Sequence, residues 1–297
     1  MNAPPEDQFL TAARSRPHIR GEVSTARLAA ERLLAIRRLY RNWPRAVAYR
    51  LGLGRHPRSV VFHLRSDFGP VPLIARANGY DVGTITEIWL VQLYDRLAEA
   101  VLHRTESPTI VDIGANCGYF AVYAGLKYGA LRVVCFEPEP TNRRLAHANL
   151  ALNGVPCEVR GEAVIPDGST SVSFYLSDDP RLHTAVPPDA AAGHGISGNR
   201  YSGRRLEVPA LNINDALAPL LETAPIDFLK IDVEGLDLDL VLAIEPDVLV
   251  GIRNLATETE TRDPAKVVER LEQNGYQTMV DPGLVLASRD PAGLSVS

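Results

Sequence analysis

The chain has 297 residues, 45% of them hydrophobic, 23% charged and 6% aromatic, which excludes fibrous and disordered classes and leaves enough Leu, Val, Ile and Ala for a sizeable core. That length suits one large α/β domain or a mid-sized domain with an appendage. No apolar run approaches the ~20 residues of a membrane-spanning helix, and the Met-Asn-Ala-Pro-Pro-Glu-Asp start has neither the basic nor the apolar region of a secretory signal, so a cytoplasmic protein is expected.

Charge is unevenly spread. Residues 1–65 hold thirteen Arg, no Lys and four acidic residues, a net of +9, against −14 for the rest of the chain. From Ser24 to Tyr49, Leu28, Leu33, Leu34, Ile36, Leu39, Trp43 and Val47 recur at roughly helical spacing, with Arg27, Arg32, Arg37, Arg38, Arg41 and Arg45 between them. This predicts one or two basic amphipathic helices, the second starting at Pro44. Residues 1–57 therefore read as a basic helical N-terminal arm. Its stripe packs on the acidic body, or it meets anionic lipid at the inner face of a membrane, or it meets an anionic substrate.

After Pro57 the pattern turns to short β-type runs. Val60–Leu64 and Val71–Ala75 predict a hairpin around Ser66-Asp67-Phe68-Gly69-Pro70, and Thr86–Leu102 predicts a helix. From Thr109 strand and helix alternate: Ile110–Ile113, a helix from Tyr119, Arg132–Phe136, a helix Thr141–Leu152, Cys157–Val164 and Ser171–Leu176. A Gly/Pro/Ser-rich loop follows to about Arg205. Then come Leu206–Leu211, Phe228–Val233, a helix Leu236–Ile244, Ile252–Thr257, a helix Pro264–Asn274, and a final pair at Gln277–Val280 and Leu284–Ala287. Such alternation means a mostly parallel, doubly wound Rossmann-like sheet over residues 58–297. Cys117, Cys135 and Cys157 fall in or beside strand-like segments without metal-ligand spacing, as in a reduced compartment.

The chemistry begins at Val111-Asp112-Ile113-Gly114-Ala115-Asn116-Cys117-Gly118. An apolar strand ends in an acid, and a glycine turn then lets the backbone approach a ligand near a helix N-terminus. Glu137 ends the next strand 25 residues after Asp112, where a carboxylate accepts hydrogen bonds from both hydroxyls of a ribose. The dinucleotide fingerprint G-x-G-x-x-G is absent, since Asn116 stands in place of its second glycine. An acid at the strand tip opposes a pyrophosphate, whereas Asp112 suits a ligand with a positive amino group. S-adenosylmethionine has the ribose, the ammonium and the sulfonium. Gly114, Ala115, Asn116, Gly118, Asp112 and Glu137 are thus the first cofactor-binding candidates.

At this point the chain resembles the FkbM-type methyltransferases, a branch of the class I S-adenosylmethionine-dependent enzymes. The likeness rests on Asp112-Ile-Gly-Ala-Asn-Cys-Gly-Tyr119, on Phe136-Glu-Pro-Glu-Pro140 with Leu145, Asn149 and Asn153-Gly154, and on Leu229-Lys-Ile-Asp-Val-Glu-Gly235. It extends from about Val60 to Leu286. The resemblance implies a seven-stranded sheet with an antiparallel last strand, and O-methylation of a hydroxyl on a sugar, glycan or polyketide-like natural-product acceptor.

The third motif has its own physical argument. A central parallel strand should be almost wholly apolar, yet Lys230, Asp232 and Glu234 alternate onto one face. Such charges must meet one another, a ligand, or water in a cleft. Asp232 is placed beside the methyl donor and the acceptor hydroxyl, as cofactor contact and first candidate base, with Lys230 the partner that keeps it ionised. Glu234 is either catalytic or an acid in the first turn of the next helix, favoured by its dipole. His183 is the second candidate base, against a merely solvated loop histidine. His194 is a weaker one. Glu258 and Glu260 at a strand end have the oxygens for a divalent cation, but no metal is assigned.

Glu162 and Ala163 end the third strand, where class I enzymes meet the adenine; the alternative is a surface acid. The stretch from Ser177 to Arg205, with Asp178, His183, Asn199 and Tyr201, is long enough for a lid or binding loop, or is disordered. Three rival functions remain. A nucleic-acid methyltransferase suits the +9 arm but lacks an Asn/Asp-Pro-Pro-aromatic motif after Phe228 and has few aromatics for stacking. A nicotinamide-dependent oxidoreductase conflicts with Asn116, and a non-catalytic binding protein with the charges around Lys230.

Overall fold

The computed structural model describes residues 33–51, 53, 59–76, 79–92, 94–102, 105–130, 132–194, 201–259, 262–281, 283–290 and 294. Leu28, Arg27 and Arg32 of the arm, Asn199 of the long loop, and Glu260 lie outside them. The chain divides into two compact units, Met1–Leu93 and Tyr94–Ser297.

In the first unit residues 33–39 are helical, and α1 (Trp43–Arg50) begins one residue before the expected Pro44, whose fixed φ suits the first turn it occupies. β1 (Ser59–Ser66) and β2 (Gly69–Arg76) form the expected antiparallel hairpin. Alternation along β1 turns Val60, Phe62 and Leu64 inward. Tyr40, fully buried, packs edge-on against Phe62 at 5.1 Å and donates its hydroxyl to the Val82 carbonyl in α2 (Gly79–Thr86). Arg65 donates to the carbonyls of Arg37, Arg38 and Tyr40, which end the residue 33–39 helix. These contacts join the arm helices to the hairpin within the first unit. The helix expected over Thr86–Leu102 is also divided. A π turn over Glu87–Val91 ends in the left-handed Gln92, φ +55°, and α3 (Asp95–Leu102) begins afresh.

The second unit is built on a seven-stranded sheet. Its strands are β3 (Thr109–Ile113), β4 (Arg132–Phe136), β5 (Cys157–Arg160), β9 (Phe228–Ile231), β10 (Asn254–Glu258), β11 (Gln277–Asp281) and β12 (Leu284–Ser288), in the spatial order β11-β12-β10-β9-β3-β4-β5. All neighbours pair in parallel except β12, which runs against both β10 and β11. The expected antiparallel last strand is therefore present. Every residue of β3 is buried, as a strand covered on both faces requires. Helices α4 (Tyr119–Tyr128), α5 (Pro140–Leu152), α6 (Ile213–Leu221), α7 (Asp237–Ala243), α8 (Pro246–Val250) and α9 (Ala265–Gln273) form the crossovers. The Asp95 carboxylate accepts from Tyr123, Lys127 and Tyr128, which ties α3 to α4.

The run expected as one strand over Cys157–Val164 is broken at Gly161-Glu162. β5 stays in the large sheet, whereas β6 (Ala163–Ile165) joins β8 (Tyr201–Asn212) and β7 (Ser171–Ser177) in a second sheet of order β6-β8-β7. Gly161 lies at this break, against the Arg143 guanidinium. The break sends Glu162 and Ala163 toward the cleft above β3 and β4. Among the described residues no helix is long and apolar enough to cross a membrane.

Candidate active site

The strand order reverses between β3 and β9, and open α/β sheets bind ligands at the carboxyl ends of such strands. A cleft of about 550 Å³, counted with its open mouth, lies there; its polar lining includes Asn116, Glu137, Glu162, His183, Asp232 and Glu234.

Two glycines shape its floor. Gly114 has φ +84°, and a Cβ on it would stand 1.8 Å from the Asp232 carbonyl, so the loops after β3 and β9 touch only because no side chain intervenes. Gly118 has φ +73° and sits against Ala146, which lets α4 start close to α5. Asn116, at φ +50°, turns its backbone N–H onto Glu137 Oε2 at 2.8 Å. Glu137 Oε1 accepts from the Glu139 N–H at 2.9 Å. The carboxylate is thereby fixed at the edge of the cleft. Phe136, Pro138, Ala163 and Phe174 supply apolar walls beside it. A fixed carboxylate next to an apolar slot, over a turn free of side chains, fits the ribose and base of a nucleoside.

Lys230 lies beneath the cleft. Its ammonium is 2.9 Å from Asp112 Oδ1 and 3.2 Å from Asp232 Oδ2, over the rings of Tyr94 and Phe120. Burial alone would depress its pKa, but the attraction and hydrogen bonds of the two carboxylates outweigh this and hold it above the ordinary lysine value. Burial pushes the Asp112 carboxyl up, and Lys230 offsets this only in part. The direction we stand behind is a charged Lys230, because two carboxylates flank it. Tyr94 Oη donates to the same Asp232 Oδ2 at 3.3 Å. Among the described residues Oδ2 thus receives both contacts and Oδ1 none, on a side chain that is 30% exposed at the cleft.

The residues proposed from sequence divide accordingly. Gly114, Asn116, Glu137, Glu162, Ala163, Asp232, Glu234 and His183 share the cleft. Asp112, Ala115 and Gly118 are outside its lining, and Asp112 pairs with Lys230 instead of facing a ligand. Glu234 precedes α7 in the left-handed region at φ +53°, so the helix-acid reading of it does not hold; Asp237 and Asp239 fill that first turn. Asp237 accepts from the Val233 and Gly235 N–H groups and fixes the turn that holds Glu234. His183 Nδ1 accepts the Ser177 N–H at 3.0 Å, which assigns the neutral ring's proton to Nε2. The Nδ1 lone pair is therefore occupied.

His194 and Glu258 are outside the cleft lining; His194 lies 3.0 Å from the Gly235 carbonyl. Asp178 is exposed, and Tyr201 stacks edge-on against Tyr175. The Ser177–Arg205 stretch is held to the site by Asn116 and Asn142, which both donate to the Pro180 carbonyl, and by Thr184, whose hydroxyl donates to the Glu234 carbonyl. Tyr94, Asn142, Arg181 and Thr184 were not evident from sequence. Each is a single residue remote from the motifs, and only the folded chain brings it in.

Residues 112–278 match the methyltransferase FkbM domain. The chain belongs to the FkbM methyltransferase family. It is accordingly an enzyme of the S-adenosylmethionine-dependent methyltransferase class. It is 27% identical over 192 residues to methyltransferase sdnD of Sordaria araneosa, covering 58% of this chain and 72% of that one. It is 28% identical over 208 residues to the 31-O-demethyl-FK506 methyltransferase FkbM of Streptomyces tacrolimicus, covering 61% and 75%. Among solved structures an rRNA methylase from Streptococcus thermophilus shares 13% identity at a TM-score of 0.38, over 67% of this chain and 95% of that one.

Proposed function

We propose that the protein binds S-adenosylmethionine in this cleft and methylates a hydroxyl oxygen of a sugar, glycan or polyketide-like natural-product acceptor. The observation that carries the reading is the Asp232 carboxylate, with Oδ2 held by Lys230 and Tyr94 and Oδ1 left toward the cleft that Glu137 also lines. The name of the FkbM relative, which places its methyl on an oxygen of FK506, supports oxygen as the acceptor atom.

When bound, S-adenosylmethionine supplies an electrophilic methyl group on a sulfonium. Glu137 accepts from the ribose hydroxyls, and the backbone turn at Gly114 lets the ligand lie against the strand tips. Glu162 and Ala163 flank the base. Asp232 Oδ1 accepts the acceptor's hydroxyl hydrogen bond, orients the oxygen and takes its proton, a role worth roughly 10²–10⁴-fold in rate. Lys230 and Tyr94 together keep the carboxylate in one orientation. Glu234, on the same rim, receives a second polar group of the acceptor.

The test is transfer of an isotopically labelled methyl from S-adenosylmethionine to a panel of glycosides and hydroxylated natural products, with the labelled atom located by mass spectrometry. An O-methyl product that Asp232→Asn abolishes is the expected result. Methylation at nitrogen or carbon, or full activity of Asp232→Asn, would overturn the reading.

A further inference from the structure

The first unit carries a surface that its own core does not use. The described residues between 33 and 66 include Arg37, Arg38, Arg41, Arg45, Arg50 and Arg65 and no acidic residue. Exposure along the first helix runs in pairs. Leu33 and Leu34 face out, Ala35 and Ile36 in, Arg37 and Arg38 out, Leu39 and Tyr40 in, Arg41 out. The outward face therefore places two leucines one turn before two arginines. Trp43 at the start of α1 is 38% exposed, with the Arg37 guanidinium 6.0 Å from its ring. Leu51 and Leu53, which follow α1, are 60% and 57% exposed.

We propose that this face docks on an anionic lipid bilayer. Exposed leucines and a tryptophan enter the headgroup boundary, while arginine stems lie along the apolar surface and their guanidinium groups reach lipid phosphates. The absence of acids across the segment removes any repulsion from an anionic leaflet. A nucleic acid would satisfy the arginines but offers no place for exposed aliphatic side chains, and α1 shows only Trp43 as an exposed stacking platform. The proposal is independent of the methyl-transfer reading.

The experiment is co-sedimentation of the full chain with vesicles of phosphatidylcholine alone and of equal parts phosphatidylcholine and phosphatidylglycerol, at low and high salt. Each arginine near an anionic surface strengthens binding roughly fivefold. Arg41→Glu/Arg45→Glu/Arg50→Glu should thus weaken binding by at least about 100-fold. Leu33→Ser/Leu34→Ser/Trp43→Ser should also release the protein while keeping every charge. These positions are exposed, and an unchanged melting temperature confirms folding of each variant. Selective binding to the anionic vesicles, lost in both variants, supports the proposal. Three results overturn it: no anionic-vesicle binding at low salt, equal binding to the neutral vesicles, or binding of a single-stranded RNA probe that persists in the Leu/Trp variant while vesicles are not bound.

Discussion

The phenol of Tyr94 and the carboxylate of Asp232 meet at 3.3 Å, across 138 positions of sequence, and the contact falls on the same oxygen that Lys230 holds. Tyr94 therefore acts as a positioning residue. Its ring covers the Lys230 ammonium and its hydroxyl fixes the carboxylate. Tyr94→Phe keeps the ring and removes only the hydroxyl. One long hydrogen bond to a charged group is worth about 1 kcal/mol, so kcat should fall roughly fivefold. Affinity for the methyl donor, measured by calorimetry, should stay the same.

Asp232 and His183 have opposite expectations. Asp232→Asn should lower kcat by about 10²–10⁴-fold, the usual contribution of a general base. His183→Gln should stay within about tenfold of wild type, because the ring's Nδ1 already accepts the Ser177 N–H. Side-by-side turnover numbers at saturating donor check both.

Much of this was legible in the chain. The alternation of strand and helix predicted a mostly parallel doubly wound sheet, the family resemblance implied its seven strands and antiparallel last strand, and a charge at a strand end picked out Glu137. The local departures were not legible because backbone geometry decides them. The Cys157–Val164 run looks continuous, and only the pairing of Ala163–Ile165 with β8 shows that it divides between two sheets. Glu234 looks like the first acid of a helix until its positive φ places it on the cleft rim. Asp112 looks ligand-facing at a strand tip, yet a buried lysine from the neighbouring strand claims it. The contact of His183 Nδ1 with the Ser177 N–H depends on backbone placement, which no spacing of residue types encodes.

Gly114 and Gly129, both at positive φ, make a contrast. Gly114→Ala forces a Cβ to 1.8 Å from the Asp232 carbonyl, whereas at Gly129, φ +62°, nothing lies within 4 Å of the added carbon. Gly129→Ala should cost only about 1 kcal/mol of conformational strain. Gly114→Ala should cost at least about 3 kcal/mol, because strand tips must separate as well. Urea denaturation of both variants measures the difference.

Lys230 predicts an alkaline limit to stability. Its raised pKa means that the folded state holds the proton more tightly than the unfolded chain does. The resulting stabilisation is fully present below the ordinary lysine value of 10.5 and is lost as pH rises through the folded value. Compared with Lys230→Met/Asp112→Asn, whose buried pair is neutral, the melting-temperature difference should be constant from about pH 8 to about pH 10 and should drift against wild type above that range. A difference that stays flat through the alkaline range would mean Lys230 is not held charged in the fold.

The most direct test of the account is calorimetric titration of wild type and Glu137→Ala with S-adenosylmethionine, its demethylated product and NAD(P)H. The fixed Glu137 carboxylate predicts that wild type binds the first two ligands, and Asn116 in place of the second fingerprint glycine predicts that it does not bind the third. Loss of two hydrogen bonds to a charged group should weaken donor binding by about 10²-fold or more in a variant that still melts cooperatively. Binding of NAD(P)H by wild type, or undiminished donor affinity in folded Glu137→Ala, would contradict the placement of the cofactor in this cleft.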